Sequence, residues 1–367
     1  MTETGGALPS PWTIDYPRRI PARRPQNHEP RAPRWMATFV EAVSMMTADY
    51  IAIQTSDSNS PESINFLNLI RSAHRTPRQD SPEAWELTSF VDGAGRFNLV
   101  HIGYWRDPNK HAAWILGAPL GKWFTSLDAR HANFGAWRET IQVPVDRLET
   151  IVSKEGWSFG LANCPMIEMR LTTTNGYFGA ARDRFPLSAI DRLEAPSPHR
   201  RRATPALSLG RRLRAECGHN TAVIRSGQHW ASSLGEQLVD YESSLQPKLM
   251  AGMDHLSRNQ ETEGVLSLRV MTNHDLESFA SVQQTSVLAY FNSLEPLEKW
   301  AESHATHAAI YEHAIDKQRE FGADRQVVTW HEVFIVTRNS NFEYVNCHAD
   351  TGILPFAQTL MAVDDAN

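Results

Sequence analysis

The sequence predicts an α+β protein built from two similar units, each an antiparallel sheet with helices on one face. The main observation is an internal repeat in which a strand, a tyrosine, a proline, a helix and a tryptophan follow in the same order. The tyrosine and the tryptophan are ten residues apart in both copies, Tyr104 to Trp114 and Tyr290 to Trp300. Short β-branched strands also alternate with helical segments along the chain. A tandem repeat of one ferredoxin-like unit explains both observations.

The first predicted unit starts with a strand-rich segment over residues 35–53. Pro61 opens an amphipathic segment that extends to residue 75, which predicts a helix. Two apolar stretches on either side of the turn sequence DGAG predict a β-hairpin. A second helix is expected from about Pro108, and a further strand runs through FGAWRETIQVPV.

The second predicted unit repeats this succession of strands and helices. NTAVIRSGQHW reads as a strand, and alternation places Ser226 on the face of Ala222 and Ile224. Residues 231–259 have a loose helical periodicity. GVLSLRVMTN and SFASVQQTSVLAYF predict two more strands, and a histidine-rich helix then precedes a last strand over residues 327–336.

Composition divides the chain into four parts. Residues 1–34 hold seven prolines and six arginines, and proline at that density prevents helices and sheet ladders. We therefore expect an extended arm that lies over the body or over a partner subunit. The two units are assigned to residues 35–192 and 217–367, and the basic, proline-rich segment 193–216 between them is the predicted linker.

Bulk composition is that of a soluble globular protein, with 41% apolar and 21% charged residues in a chain of 367. A net charge of −6 argues against a nucleic-acid-binding protein. No run approaches the roughly 18 apolar residues of a membrane span, and the amino terminus lacks the apolar segment of a secretory signal. The three cysteines are widely spaced, which predicts a reducing, cytoplasmic location without disulfides.

A histidine-rich helix is expected to begin near Trp300. Trp300, His304, His307 and Tyr311 are spaced at i, i+4, i+7 and i+11, so one helix would present them on one face. A histidine on such a face can bind a metal, and it can equally be a buried structural residue with a hydrogen-bond partner. The sequence contains no CxxCH motif, so a covalently attached c-type haem is not expected.

His331 lies in the middle of the last predicted strand. Alternation places it on one face with Val327, Thr329, Val333 and Ile335. An imidazole on an apolar strand face is costly unless it has a partner, and nearby charges can adapt a buried imidazole to proton transfer. Histidines on the helix and on the strand can then face each other across a flat cofactor, one as metal ligand and the other as proton carrier.

Four sets of motifs resemble one known family. They are FGAWRETIQVPVDRLET, GYFGAARDRFP, NTAVIRSGQHW, and the pair WAESHATHAAI and WHEVFIV. In type, order and spacing they resemble the aldoxime dehydratases, haem-dependent lyases that form nitriles, over about residues 35–365. The resemblance implies a dimeric α+β barrel-type haem domain of tandem ferredoxin-like repeats, with one b-type haem (haem b) per chain, in a homodimer. It also implies dehydration of R–CH=N–OH to a nitrile and water, with the substrate nitrogen bound to ferrous haem iron.

The resemblance assigns roles to individual residues. His307 in SHATH matches the axial ligand of the haem iron, and His304 is the alternative. His331 in WHEV matches the distal catalytic histidine, which acts as general acid and base. Ser226 in IRSG matches the serine that hydrogen-bonds the aldoxime hydroxyl.

Two charged residues complete the expected polar site. Arg184 in ARDRF is preferred to Arg182, and Glu149 in DRLET is preferred to Glu139. An arginine and a glutamate beside His331 would set the protonation of the imidazole. Hydroxide is a poor leaving group, so a proton from His331 would allow water to leave instead.

Two other functions remain open on the sequence. A haem peroxidase or chlorite-dismutase-like oxidoreductase on the same fold would also need a proximal histidine, but it would act on peroxide through a distal arginine or aspartate. A protein that only binds haem or another small ligand is the third alternative. The combination of His331 and Ser226 favours the dehydratase, and both aryl and alkyl aldoximes are open as substrates.

Overall fold

The structure is a computed structural model that describes residues 12–338 and 340–363. Residues 1–11 of the predicted arm therefore lie outside the described residues. The rest of the arm, residues 12–34, has no helix and lies against the body of the protein. The Tyr16 hydroxyl donates to Asp146 at 2.7 Å, and Arg31 forms an ion pair with Glu312 at 2.9 Å.

Strands and helices alternate along the chain, as the sequence predicts. The strands of the described residues are β1 (Trp35–Phe39), β2 (Met45–Thr55), β3 (Ala84–Val91), β4 (Phe97–Trp105), β5 (Gly135–Pro144), β6 (Leu148–Val152), β7 (Ile167–Leu171), β8 (Arg212–Ala215), β9 (Ala222–His229), β10 (Val265–His274), β11 (Ser281–Phe291), β12 (Val328–Ile335), β13 (Asn341–Val345) and β14 (Leu360–Ala362). The α-helices are α1 (Pro61–Arg75), α2 (Pro108–Gly117), α3 (Pro119–Thr125), α4 (Ala180–Arg184), α5 (Gly235–Asp240), α6 (Gln246–Arg258), α7 (Leu294–Ser303) and α8 (Ala305–Phe321). A π-helical turn, Tyr241–Leu245, joins α5 to α6.

Local signals explain the boundaries of the first helices. α1 begins at Pro61, and the side chain of Ser60 caps it by accepting a hydrogen bond from the Ser63 amide at 3.2 Å. α2 begins at Pro108 after a similar cap by Asp107. These two helices and the hairpin of β3 and β4 confirm the elements predicted for this part of the sequence.

A single sheet contains the strands of the described residues, and each of its pairings is antiparallel. The strand order is β14-β8-β13-β5-β2-β4-β3-β10-β11-β9-β12-β6-β1-β7. Two groups of four consecutive strands, β2 to β5 and β9 to β12, have the same arrangement in the sheet. Numbered within each group by sequence, the strands lie side by side in the order fourth, first, third, second. The groups meet where β3 pairs with β10. The predicted α+β fold with an antiparallel sheet is confirmed.

Strands from each half of the sequence extend the sheet of the other half. β13, β8 and β14 continue the sheet beyond β5, whereas β6, β1 and β7 continue it beyond β12. β8 lies within the segment predicted as a linker, and its alternating Leu213 and Ala215 are buried. Side chains of β2, β4 and β5 also share one core with side chains of β9 to β12. On this face of the sheet, the two halves are packed as one body.

The helices cover the other face of the sheet in two groups. α1, α2 and α3 pack on β2 and β4, and α6 and α7 pack on β9 to β12. Within residues 12–338 and 340–363, no helix has both the length and the apolar character that crossing a membrane requires.

An interruption in the histidine-rich helix corrects the prediction of one continuous helical face. α7 ends one residue before His304, and α8 begins one residue after it. His304 is extended, with φ −87° and ψ 129°, and its side chain caps α8 by accepting from the Thr306 amide at 3.3 Å. Its ring also stacks on His255, with the ring centroids 3.8 Å apart. Because capping and stacking hold His304 in this conformation, it does not share a helical face with His307.

Candidate active site

A cavity of about 580 Å³ lies between the sheet and the second group of helices. One wall is formed by β6, β9, β11 and β12, and the opposite wall by α6, α7 and α8. Sites for small molecules and cofactors typically have volumes of roughly 300–1,000 Å³. Apolar residues form much of the wall, and they include Ile151, Ile224, Leu249, Met253, Leu256, Val287, Leu297 and Val333.

Strand register brings His331 and Ser226 to the cavity. They are direct partners across β12 and β9, and His331 is also opposite Ile151 of β6. Side chains alternate between the faces of a strand, so residues paired across neighbouring strands point to the same side. The predicted face of the last strand is confirmed here, since Thr329, His331 and Val333 all line the cavity.

His331 contacts a buried ion pair. Its Nε2 is 2.9 Å from Oε1 of Glu149 and 3.1 Å from Nη2 of Arg184. Arg184 donates from Nε to Oε2 of Glu149 at 2.8 Å and from Nη2 to Oε1 at 3.1 Å. The side chains of Glu149 and Arg184 are 1% and 4% exposed, whereas that of His331 is 29% exposed. Three of the residues that the sequence singled out thus form one contiguous group.

The contacts of Nε2 fit two protonation states of His331. A protonated Nε2 donates to the Glu149 carboxylate, and an unprotonated Nε2 accepts from the Arg184 guanidinium. Burial alone would raise the pKa of Glu149, but the charges of Arg184 and His331 outweigh burial and lower this pKa to about 2. Glu149 is therefore ionised at neutral pH. In the described residues Nδ1 of His331 has no hydrogen-bond partner, so this nitrogen is free to contact a ligand.

Arg184 is held in place by a short helix and a neighbouring loop. α4 follows Gly179, whose φ of 84° lies in the region that favours glycine. Nη1 of Arg184 donates to the Thr174 carbonyl at 2.9 Å. The alternative, Arg182, forms its ion pair with Glu298 at 2.6 Å instead. Of the two arginines, it is Arg184 that contacts His331.

Glu139, the alternative carboxylate, belongs to a different buried cluster. It forms an ion pair with Arg269 at 2.6 Å, and it accepts hydrogen bonds from the hydroxyls of Tyr290 and Tyr344, both at 2.7 Å. None of these four residues lines the cavity. Of the two glutamates, it is Glu149 that meets His331.

The hydroxyl of Ser226 makes only a weak contact within the chain. Its Oγ is 3.5 Å from the Trp330 carbonyl, beyond the usual range of such hydrogen bonds. Ser226 lines the cavity beside its strand partner His331. A ligand that carries a hydroxyl can therefore contact both side chains from within the cavity.

His307 lines the helical wall, whereas His304 is not among the lining residues. Nδ1 of His307 is buried without a hydrogen-bond partner in the part of the chain described, and its ring packs edge-on against Trp300 at 4.9 Å between centroids. Burial lowers the pKa of His307; the backbone of Ala301 opposes this effect, and the charge of His331 adds to it. A neutral imidazole suits the axial position of a haem iron, so the side chain and the apolar cavity fit that cofactor.

Arg34 also lines the cavity, and the sequence analysis missed it. It ends the proline-rich arm and directly precedes β1. Met36 of β1 is paired with Ile151 of β6, so alternation places Arg34 on the face that carries Ile151. Only the pairing of these distant strands reveals the position. The sequence signal that could have indicated Arg34 is its position two residues before the apolar Met36 of β1.

Comparison with known proteins gives a consistent result. The family model described as haem-containing dehydratase matches residues 49–353. The chain is 31% identical over 351 residues to an aliphatic aldoxime dehydratase of Pseudomonas chlororaphis, covering 93% of this chain and 96% of the relative. It is 27% identical over 342 residues to a phenylacetaldoxime dehydratase of Bacillus sp. (strain OxB-1), covering 90% and 93%. A crystal structure of an aldoxime dehydratase in complex with butyraldoxime superimposes with a TM-score of 0.84 at 28% identity, covering 94% of each chain.

Proposed function

Because this chain belongs to the family of haem-containing dehydratases, we propose that it is a lyase that converts aldoximes, R–CH=N–OH, to nitriles and water. The observation that carries the proposal is the contact of His331 with the buried Glu149–Arg184 pair, on the wall of a cavity that His307 lines from the opposite side. The matched family spans most of the chain, and the relatives include dehydratases of both aliphatic aldoximes and phenylacetaldoxime.

His307 is the proposed axial ligand of one non-covalently bound haem b. The support is its place in the cavity wall and the partnerless Nδ1 of its ring. A ferrous haem held by His307 would supply an electron-rich metal for the aldoxime nitrogen, which favours loss of the hydroxyl. A neutral imidazole at His307 suits binding of the haem iron.

Ser226 and His331 have complementary roles at the aldoxime hydroxyl. Ser226 hydrogen-bonds the hydroxyl and so orients it towards the imidazole. Nδ1 of His331 gives its proton to the hydroxyl oxygen, and the N–O bond breaks with water as the leaving group. The same nitrogen then takes the proton from the substrate carbon as the C≡N bond forms. The proton balance closes and no net oxidation occurs.

Glu149 and Arg184 position His331. Glu149 accepts the Nε2 proton, which leaves Nδ1 to exchange a proton with substrate. Arg184 holds both oxygens of Glu149 and so fixes the carboxylate that contacts the imidazole.

The finer features of the fold are part of the same proposal. Each group of four strands with its helices is taken to be one ferredoxin-like repeat, because the strand order fourth, first, third, second is typical of that fold. The arm 1–34, the units 35–192 and 217–367 and the connection 193–216 remain the proposed divisions of the chain. We propose a homodimer of α+β barrel type from the family resemblance, and the three buried, unpaired cysteines support a reducing, cytoplasmic location.

The test is nitrile formation by the haem-loaded protein after reduction with dithionite. Butyraldoxime and phenylacetaldoxime represent the alkyl and aryl classes, and an apolar cavity wall leads us to expect turnover of hydrophobic aldoximes. Gas chromatography should detect the nitrile from the reduced protein and little from the oxidised protein. Peroxide-dependent oxidation without any nitrile would instead support the peroxidase alternative.

A further inference from the structure

Arg34 lines the proposed haem site, and Arg325 lies three residues before β12; in the described part of the chain, neither has a carboxylate in contact. Neither forms an ion pair with an aspartate or glutamate in residues 12–338 and 340–363. Arg325 is buried and Arg34 is partly buried. Arginine seldom loses contact with water without such a partner, because removing a cation from water is costly when nothing compensates it. The pair therefore requires an explanation that the described part of the chain does not contain.

Arg34 reaches the cavity directly. Its carbonyl accepts from the Thr172 amide at 2.9 Å, which fixes the backbone at the end of the arm. Its Nη1 donates to the Pro33 carbonyl at 2.8 Å, and Arg34 is among the residues that line the cavity with His307 and His331. A guanidinium has five N–H donors, so most of them remain available to a ligand.

Arg325 lies at the end of the chain segment that leads into β12. The residue is only 4% exposed, and its Nη1 is buried without a hydrogen-bond partner. Burial lowers the pKa of Arg325, the positive charge of Arg34 adds to this effect, and the charge of Asp240 opposes it, so that the pKa is about 10. Lys154, which follows β6, donates to the Arg325 carbonyl at 2.7 Å, and β1, which Arg34 directly precedes, is paired with β6. Both arginines therefore lie at the same end of β6.

A third arginine makes the contrast clear. Burial also lowers the pKa of Arg34, and the charge of Arg184 adds to that effect. Arg184 has its own carboxylate, since Glu149 is 2.8 Å away. Within the described residues, Arg34 and Arg325 have no carboxylate in contact, and Asp240 acts on Arg325 only from beyond ion-pair distance.

We propose that Arg34 and Arg325 form a carboxylate-binding site that holds the propionate groups of the haem and so fixes the orientation of the porphyrin in the cavity. This proposal rests on the haem binding of the proposed function. A guanidinium pairs with a carboxylate through two parallel hydrogen bonds, and such charge-assisted bonds are among the strongest in proteins. One haem would place its iron at His307 and its carboxylates at the arginines, which relieves the repulsion between them.

The test compares protohaem with protohaem dimethyl ester, in which the carboxylates are esterified and uncharged. Apoprotein is titrated with each, and the dissociation constants are read from the Soret band and from tryptophan quenching. The parent protein should prefer the free acid by about 10- to 100-fold, as expected for one or two charge-assisted contacts. Arg34→Met should lose most of this preference while its affinity for the ester is unchanged. Arg34→Lys, which keeps the charge, should retain part of it.

A matched control is Arg24→Met, on the same arm. Arg24 is exposed and already donates to Thr173 and to the His28 carbonyl, both at 3.0 Å. This variant should keep the full preference for the free acid. Circular dichroism checks that each variant is folded, and Arg325→Met is interpreted only if its spectrum matches that of the parent.

Three results would overturn the proposal or its premise in distinguishable ways. Equal preference for the free acid in the parent and in folded Arg34→Met would show that Arg34 does not bind the propionates. Inorganic phosphate could also bind the haem-loaded protein as tightly as it binds the apoprotein. If that binding requires Arg34, the site is assigned to a free anion. Failure of the parent to bind either porphyrin would contradict the proposed function itself.

Discussion

Nε2 of His331 lies within hydrogen-bond distance of an anion and of a cation, Glu149 and Arg184. Both partners are almost completely buried, so water does little to screen their charges. Such a group is costly to disturb, because a buried charge that loses its partner is uncompensated. We therefore expect each member of the group to affect the stability of the fold.

Glu149→Gln should change how stability depends on pH. The pKa of Glu149 in the folded protein, about 2, lies below its ordinary value of 4.5. The ionised carboxylate thus stabilises the fold above pH 4.5, and this contribution is lost as the pH falls towards 2. The difference in unfolding free energy between parent and variant should shrink by roughly 3 kcal/mol over that range. Urea denaturation at several pH values measures it, with the exposed Glu236→Gln as a control that shows no such trend.

The sequence could not decide between Glu149 and Glu139. Both lie in the same motif, and both are buried beside an arginine in the folded protein. What separates them is the strand that carries them, since β6 pairs with β12 and brings Glu149 beside His331. Pairing between strands so distant in the sequence depends on the whole sheet, so periodicity within one segment cannot reveal it.

At the scale of elements, the two walls of the cavity arise in different ways. The β12 wall follows from alternation, which the sequence displays directly, and its cavity face is the predicted one. The helical wall does not follow from periodicity, because the helix stops at His304 and restarts. At the break, His304 caps α8 and stacks on His255, and His255 belongs to α6, far away in sequence. A contact of that kind leaves no periodic signal.

His304→Ala should affect stability, whereas His307→Ala should affect haem binding. Loss of the cap in His304→Ala should lower stability by about 1 kcal/mol, the usual cost for a helix amino-terminal cap, while haem stays bound. His307→Ala should fold and fail to retain haem. Thermal unfolding and the Soret absorbance after gel filtration measure the two properties. Haem loss from His304→Ala with retention in His307→Ala would contradict the choice of His307.

At the scale of the whole molecule, the halves of the sequence are held together by exchanged strands and by buried charges. Glu139 of β5 pairs with Arg269 of β10, and Tyr290 and Tyr344 donate to the same carboxylate. The sequence repeat indicated two similar units, and the paired groups of four strands agree with that view. The sequence did not predict that β13, β8 and β14 extend the first group of strands, or that β6, β1 and β7 extend the second. These pairings join segments that share no local sequence pattern.

Arg269→Met should therefore destabilise the entire molecule. Removal of one partner of a buried ion pair typically costs about 3–5 kcal/mol, and here it leaves Glu139 without its cation. Because both halves share one core, we expect a single unfolding transition in urea, shifted to lower concentration. Arg258→Met removes an exposed ion pair with Asp254 and should leave the midpoint almost unchanged. Two separate transitions in the parent protein would show that the halves unfold independently.

The central claim is that His331 carries the proton, and His331→Ala in a single turnover tests it most directly. The variant should bind haem, since His307 lies on the opposite wall, and it should still form a complex with phenylacetaldoxime after reduction. Loss of a positioned proton donor should slow nitrile formation by about 10²–10⁴-fold, so that the complex persists in stopped-flow absorption spectra. Nitrile formation at the parent rate would contradict the account.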